Sequence, residues 1–138
     1  MADDTHSNAK TDMIIRCALS NNITIRNNEI HHAWEEPIKM SRGHNILIEG
    51  NYVHDGGYEA IDCVNLSDSI IRDNVIEEVG RMALMCKGGS RSNLFYNNYV
   101  HSRERTIQNA FGIGGISNNT SIWGGTKDFR DYLLQPRY

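Results

Sequence analysis

A period of about 23 residues is the feature of this sequence that most constrains what the chain can fold into. Asparagines recur with a nearly constant spacing, at Asn28, Asn51, Asn74 and Asn98. A second, apolar segment recurs with the same spacing, at Ile15, Ile38, Ile61 and Leu84. Because two separate segments share one period, the chain is predicted to be an array of similar structural units.

Within each unit the side chains follow the pattern of short β-strands. Apolar residues alternate with other residues, as in Ile15–Cys17 and Ile23–Ile25, which is typical of a strand with one buried face. Gly, Asn, Asp and Ser, which favour turns, separate these segments. We therefore predict an all-β fold: a single-stranded parallel β-helix of four to five coils of about 23 residues, with an irregular C-terminal segment.

Residues one period apart are predicted to lie above one another in columns. An inward column of this kind contains Cys17, Met40, Cys63 and Cys86, which accounts for the three cysteines without a disulfide or a zinc site. The four asparagines are predicted to form a ladder at a turn. Asparagine tolerates the left-handed backbone conformation, and its amide can bond to the next coil.

A leucine-rich repeat is the main alternative fold. Its strand motif has the same spacing of apolar residues and asparagine, and the period of this sequence lies within its range. The rest of each unit, however, lacks the leucine spacing of a convex helix and contains a second segment with the period of a strand. This second segment favours the β-helix.

The two ends of the chain depart from the repeat. Residues 1–11 are predicted to be a flexible N-terminus, residues 12–125 the β-helix, and residues 126–138 a tail or cap. Residues 110–116 are predicted to supply a fifth strand, in which Ile113 follows Leu84 in its column. No convincing cap covers Ile14 and Cys17 in the first coil, so we expect a homo-oligomer that packs through its open coil ends.

Charge and hydropathy argue against two classes of partner. The net charge is −3, which gives no basic surface for nucleic acid. No apolar run approaches the roughly 18 residues of a membrane helix. The polar N-terminus also lacks the apolar segment of a signal peptide. We expect neither nucleic acid nor a membrane as a partner.

Residues 12–102 resemble the superfamily of right-handed parallel β-helix proteins that includes pectate-lyase-like enzymes. The resemblance is carried by the phrases NNITIRNNEIHH, NILIEGNYVHDGG and SDSIIRDNVIEEVG, and by the tail KDFRDYLLQPRY. It implies a right-handed coil and a fragment of a larger bacterial protein that is extracellular or periplasmic. Because this superfamily includes lyases, epimerases, hydrolases, tailspikes and adhesins, the resemblance does not fix an activity.

The outward residues between the two inward columns form one candidate site, for a lyase. β-Elimination of a uronic acid needs a base for the C5 proton and a cation for the carboxylate. Lys39 is predicted as the base and Arg16, one strand away, as the carboxylate clamp. Lyases of this superfamily place calcium near such a pair, which implies calcium ligands at Asp62 and Glu59. The alternative is that Lys39 and Asp62 form a solvated cross-strand pair.

A histidine column forms the second candidate site. His31, His54 and His101 occupy equivalent positions in their coils, with Glu77 in the remaining coil. Stacked imidazoles and carboxylates can bind a transition metal or relay protons. The alternative is a turn rim that simply favours polar rings.

Four residues near this column are predicted to contact a substrate. His54 and Asp55 precede two glycines, which let a ligand approach the backbone. Trp34 and Tyr58 provide aromatic faces on which sugars can stack. The alternative is that these four residues belong to an ordinary exposed surface that binds no substrate.

Three functional hypotheses follow from the sequence. The first is a fragment of a carbohydrate-active protein, most plausibly a polysaccharide lyase acting on uronic-acid polymers, with little activity alone. The second is a non-catalytic module for binding or structure, similar to those of adhesins and tailspikes. The third is a small self-associating β-helix protein.

Overall fold

The computed structural model describes residues 13–104 and 107–114. These residues form thirteen β-strands and contain no α-helix, which excludes a leucine-rich repeat with a convex helical layer. None of the described residues belongs to a helix of the length and apolarity needed to cross a membrane.

The strands form three sheets, and each coil contributes one strand to each sheet in turn. Sheet 1 contains β1 (Ile15–Ala18), β4 (Ile38–Ser41), β7 (Ile61–Val64), β10 (Met82–Lys87) and β13 (Asn109–Ile113). Sheet 2 contains β2 (Thr24–Arg26), β5 (Leu47–Glu49), β8 (Ile70–Arg72) and β11 (Leu94–Tyr96). Sheet 3 contains β3 (Glu29–His31), β6 (Tyr52–His54), β9 (Val75–Glu77) and β12 (Tyr99–His101). Every strand pair is parallel, so the predicted β-helix is confirmed.

The register of sheet 1 confirms the predicted inward columns. Cys17 pairs with Met40, Met40 with Cys63, and Cys63 with Cys86. All three cysteines are free. Burial raises the pKa of the Cys63 thiol well above its ordinary value, so this side chain packs as a neutral apolar group.

The asparagine ladder is confirmed as a chain of amide hydrogen bonds between coils. The Asn51 side chain donates to Asn74 Oδ1 at 3.0 Å, and the Asn74 side chain donates to Asn98 Oδ1 at 2.9 Å. Each also donates to a backbone carbonyl of the preceding coil, at Ile25 and Ile48 respectively. Asn51 and Asn74 are buried, and these bonds satisfy amides that would otherwise be costly to bury.

At this turn, the residue with the left-handed backbone conformation is the one before the ladder asparagine. Residues with this conformation recur from coil to coil in four columns, which form the corners of the coils, and all their φ angles lie between 50° and 64°. The first column contains Leu19, Arg42, Asn65 and Gly88, and the second contains Asn22, Asn45, Asp68 and Ser92. The third contains Asn27, Gly50, Asp73 and Asn97, and the fourth contains His32, Asp55 and Glu78. The ladder asparagines instead project into the stack, where their amides bond.

The predicted fifth strand is present as β13, with a register that differs from the predicted one. Leu84 pairs with Phe111 rather than with Ile113, which pairs with Cys86. Both ends of the described stack expose apolar side chains: Ile14 is 52% exposed and Ile113 is 55% exposed. The segments 1–11 and 126–138 of the predicted domain division lie outside the described residues.

Candidate functional site

Two groups of polar side chains occupy the outer faces of the coil. The first, on sheet 1, contains Glu36, Lys39, Asp62 and Lys87, and we call it the buried charge cluster. The second, on sheet 3, contains His31, His54, Glu77 and His101, and we call it the histidine ladder. Strand alternation turns every member except Glu36 away from the core, whereas Glu36 lies in the turn before β4.

Asp62 is the centre of the buried charge cluster. Its side chain is 0% exposed, and Lys39 and Lys87 place their Nζ atoms 2.5 Å and 3.2 Å from its Oδ2 atom. Lys39 also donates to Glu36 Oε1 at 2.8 Å. The predicted cross-strand pair of Lys39 and Asp62 is therefore confirmed, but its expected solvation is wrong. Lysines from the strands on both sides converge on the carboxylate, and their long aliphatic stems exclude water.

The electrostatics of Lys39 favour its charged form. Burial acts to lower the pKa of Lys39, but the Asp62 and Glu36 carboxylates outweigh it, so the pKa rises above 10.5. A base for C5 proton abstraction requires the neutral amine, which this environment disfavours at neutral pH. Arg16 is exposed and pairs in register with Lys39, so the predicted spacing of one strand is confirmed, and its role as a carboxylate clamp stays a prediction.

The two predicted calcium ligands face cations of the chain itself. Asp62 meets two lysines, and Glu59, which is 4% exposed, lies 3.7 Å from the Arg81 guanidinium. Calcium takes six to eight oxygen ligands, and these two carboxylates do not fit such a set. Within residues 13–104 and 107–114, no group of three or more His, Cys, Asp or Glu side chains could hold a metal ion. Calcium binding stays a prediction without support from this geometry.

The histidine ladder brings together the residues that the sequence places in one column. His31 pairs with His54, His54 with Glu77, and Glu77 with His101. The rings of His31 and His54 stack with their centroids 5.0 Å apart and their planes 8° apart. The Tyr52 ring also stacks on His54, with their centroids 4.3 Å apart and their planes 29° apart. Rings from two adjacent coils thus form one aromatic stack.

Carboxylates surround His54. Its Nδ1 atom lies 2.7 Å from Asp55 Oδ2, and its Nε2 atom lies 3.1 Å from Glu29 Oε1. Burial acts to lower the pKa of His54, but the two carboxylates outweigh it, and the pKa rises above 6.5. Tyr52 donates its hydroxyl proton to Glu77 at 2.8 Å, and this bond is the main cause that raises the pKa of Tyr52. His54 is therefore a donor at mildly acidic pH, while Tyr52 is unsuited as a base.

The four predicted substrate contacts lie close together, at the turn that follows sheet 3. Gly57 N–H donates to the Ala33 carbonyl, and Tyr58 N–H donates to the Glu35 carbonyl, so the turns of successive coils stack. This stacking places Tyr58 next to the segment that carries Trp34; the two are 46% and 60% exposed. A side chain at Gly57 would collide with the Trp34 carbonyl, so the close approach of the two turns requires glycine there.

Sequence reasoning missed three members of these sites. Glu29 shares the outer face of β3 with His31 and could have been found from the period of two along the strand. Glu36 lies three residues before Lys39, outside the strand pattern. Lys87 reaches Asp62 diagonally, because its register partner is Val64. A column argument pairs only residues that are one period apart, so it could not find this contact.

Comparison with known proteins supplies the family. No curated protein and no solved structure matches the chain. The family model described as a right-handed β-helix region matches residues 3–123, which is most of the sequence and includes every described residue. With its parallel strands in three sheets and its recurring corners, the chain belongs to the right-handed β-helix family.

Proposed function

We propose that this β-helix binds a polysaccharide along the outer face of sheet 3, without cleaving it. The observation that carries the proposal is the stack of rings from adjacent coils: Tyr52, His54 and His31. Ring faces that this stack leaves uncovered can bind the apolar face of a sugar ring, and Tyr52 and His31 are the exposed members.

The charges beside these rings favour an uncharged glycan. The carboxylates of Glu29, Asp55 and Glu77 line the ladder and accept hydrogen bonds, as sugar hydroxyls require. The same carboxylates repel a polymer of uronic acids. Tyr99 and His101, with parallel rings 6.2 Å apart, form a second pair of rings on the last described strand of sheet 3, one coil beyond Glu77.

A lyase that acts on uronic-acid polymers is the second candidate. Arg16 favours it, because this exposed guanidinium lies across from Lys39 and suits a bidentate contact with a carboxylate. The raised pKa of Lys39 opposes it, because the proposed base keeps its proton. A lyase predicts that unsaturated uronide, detected by its ultraviolet absorbance, accumulates with alginate or pectate and that Arg16→Ala abolishes it.

Affinity electrophoresis in gels that contain uncharged or uronic-acid polysaccharides tests the binding proposal. We expect an uncharged glycan to retard the chain, and Tyr52→Ala to weaken its binding at least about tenfold. Tyr96→Ala is the matched control, because Tyr96 has similar exposure (40% against 36%) but lies on sheet 2. Retardation by none of the glycans, or equal losses from the two tyrosine variants, would contradict the proposal.

A further inference from the structure

Three groups of the buried charge cluster have the arrangement needed to join two side chains covalently. Lys39 Nζ lies 2.5 Å from Asp62 Oδ2 and 2.8 Å from Glu36 Oε1, so one amine contacts two carboxylates. Because Oδ2 is one bond from the carboxyl carbon of Asp62, Nζ lies at most about 3.7 Å from that carbon. An amine held this close to a carboxyl carbon reacts far faster than two separate molecules do.

Burial adds to this geometry. The Asp62 side chain is 0% exposed, and the Lys39 and Glu36 side chains are 14% and 10% exposed. Asp62 Oδ1 and Glu36 Oε2 are buried, and no described residue donates a hydrogen bond to either atom. Charged groups that lack hydrogen bonds are costly to bury, so a reaction that removes both charges of an ion pair is favoured here.

We propose that Lys39 and Asp62 condense to an isopeptide bond, an amide between side chains, with Glu36 as the catalytic residue. The new bond joins Lys39 Nζ to the carboxyl carbon of Asp62, and one C–O bond of Asp62 breaks. Two of the three protons of the ammonium group leave with that oxygen as water, and the third stays on the amide nitrogen. The positive charge of Lys39 and the negative charge of Asp62 disappear together, and no oxidant or cofactor is consumed.

The neighbours of the reacting pair assist two steps. The amine attacks only in its neutral form, and Glu36 accepts the proton that the ammonium group must lose. Glu36 carries the protons from the nitrogen to the departing oxygen and ends with its starting charge. The Lys87 ammonium lies 3.2 Å from Asp62 Oδ2, where it stabilises the negative charge that develops on the carboxyl oxygens.

The reaction is slow, because the neutral amine is scarce. Burial acts to lower the pKa of Lys39, but the Asp62 and Glu36 carboxylates outweigh it and raise the pKa above 10.5. The freshly folded chain therefore contains the ion pair, and the bond accumulates afterwards. A lyase needs a neutral base at every turnover, whereas this reaction happens once in each molecule.

The bond ties the second coil to the third. Lys39 lies on β4 and Asp62 on β7, which pair directly in sheet 1. All three cysteines are free, so no disulfide links these coils. A covalent link between the two strands limits the freedom of the unfolded chain, as a disulfide does, and so favours the folded coils.

Mass spectrometry of the full chain tests the proposal without any substitution. We expect the intact mass to fall by one water during incubation at neutral pH. Trypsin should then release residues 27–42 joined to residues 43–72, because both segments end at an arginine and the amidated Lys39 is no longer a cleavage site. A fragment spectrum with two N-terminal series distinguishes this branched peptide from a linear one that trypsin left uncut at Arg42.

Two results of this experiment would overturn the proposal. The first is an intact mass that does not change. The second is a water loss confined to the peptide of residues 43–72, with cleavage after Lys39 as usual. Asp55 precedes Gly56 in that peptide, and an Asp-Gly pair can lose water by closing a succinimide ring.

Matched variants test the role of Glu36. Glu36→Gln keeps the size of the side chain but removes the proton acceptor, so bond formation should slow at least about 100-fold. Glu35→Gln makes the same change one residue earlier, outside the cluster, and should leave the rate unchanged. Asp62→Asn should give the same branched peptide with loss of ammonia in place of water. Equal rates in Glu36→Gln and Glu35→Gln would show that Glu36 is not the catalytic residue.

Discussion

The buried charge cluster and the histidine ladder occupy equivalent outer faces of the same coils, yet their environments are opposite. Asp62 is fully buried between two lysines, and no described residue donates a hydrogen bond to its Oδ1 atom. His54, whose side chain is 15% exposed, is held by two carboxylates that reach the surface: Glu29 is 63% exposed and Asp55 is 37% exposed. Strand alternation sends both groups outward, but it does not decide which of them meets water.

Charged side chains have different roles in the buried charge cluster and in the histidine ladder. In the cluster, the ions compensate one another, and removing one leaves the others buried without a partner. In the ladder, water and exposed side chains can replace a lost contact. We therefore expect the cluster to govern stability and the ladder to govern ligand binding and its response to pH.

The largest expected effect is the loss of Asp62. Asp62→Ala leaves Lys39 and Lys87 facing each other without their shared carboxylate, and should destabilise the fold by about 3–5 kcal/mol. Glu29→Ala removes an exposed carboxylate from His54 in the ladder and should cost less than about 1 kcal/mol. Urea unfolding measures both. Similar free energies of unfolding for the two variants would remove the distinction between the two regions.

A smaller effect distinguishes the two lysines of the cluster. Lys39→Met should destabilise by about 2–3 kcal/mol more than Lys87→Met, because it also leaves the buried Glu36 carboxylate without its cation. The Lys39 side chain is 14% exposed and the Lys87 side chain 28%, and Lys39 lies closer to Asp62. The double variant Lys39→Met, Asp62→Leu should recover part of the loss, because it removes both charges together. Additive losses in a double-mutant cycle would show that the pair is not coupled.

The smallest effect is the pH dependence of the ladder. The pKa of His54 is raised, so its ion pairs contribute fully below pH 6.5 and are lost as pH rises through the folded-state pKa. His54→Gln should therefore reduce stability by up to about 1 kcal/mol near pH 5, and by less near pH 8. The raised pKa of Lys39 keeps this lysine charged over this whole range. A pH-independent difference between His54→Gln and the unmodified chain would contradict the assignment.

The columns of this fold were predictable because the period is visible in the sequence. Cys17, Met40, Cys63 and Cys86 pair in one column, and the asparagine ladder bonds from coil to coil. A column requires only that equivalent residues recur, and recurrence is a property of the sequence itself.

The burial of Asp62 was not predictable in the same way. Alternation gives the direction of a side chain, but the cover over Asp62 depends on the reach of Lys87, which comes diagonally from the next strand. The register of β13 also escaped prediction, because an insertion precedes Phe111 and no periodic residue marks its length. A repeat pattern says little about where long, flexible side chains and irregular loops lie in the structure.

The asparagine ladder also gives the stack a direction. Each side chain donates its amide to the asparagine of the next coil and never to the one before, from Asn28 through Asn98. Among the described residues, its first member therefore presents a bare carbonyl oxygen, and its last member presents a backbone N–H. Two copies that met through identical ends would set acceptor against acceptor or donor against donor. Any coil that extends this ladder must therefore continue it head to tail, with its acceptor towards the Asn98 end or its donor towards the Asn28 end.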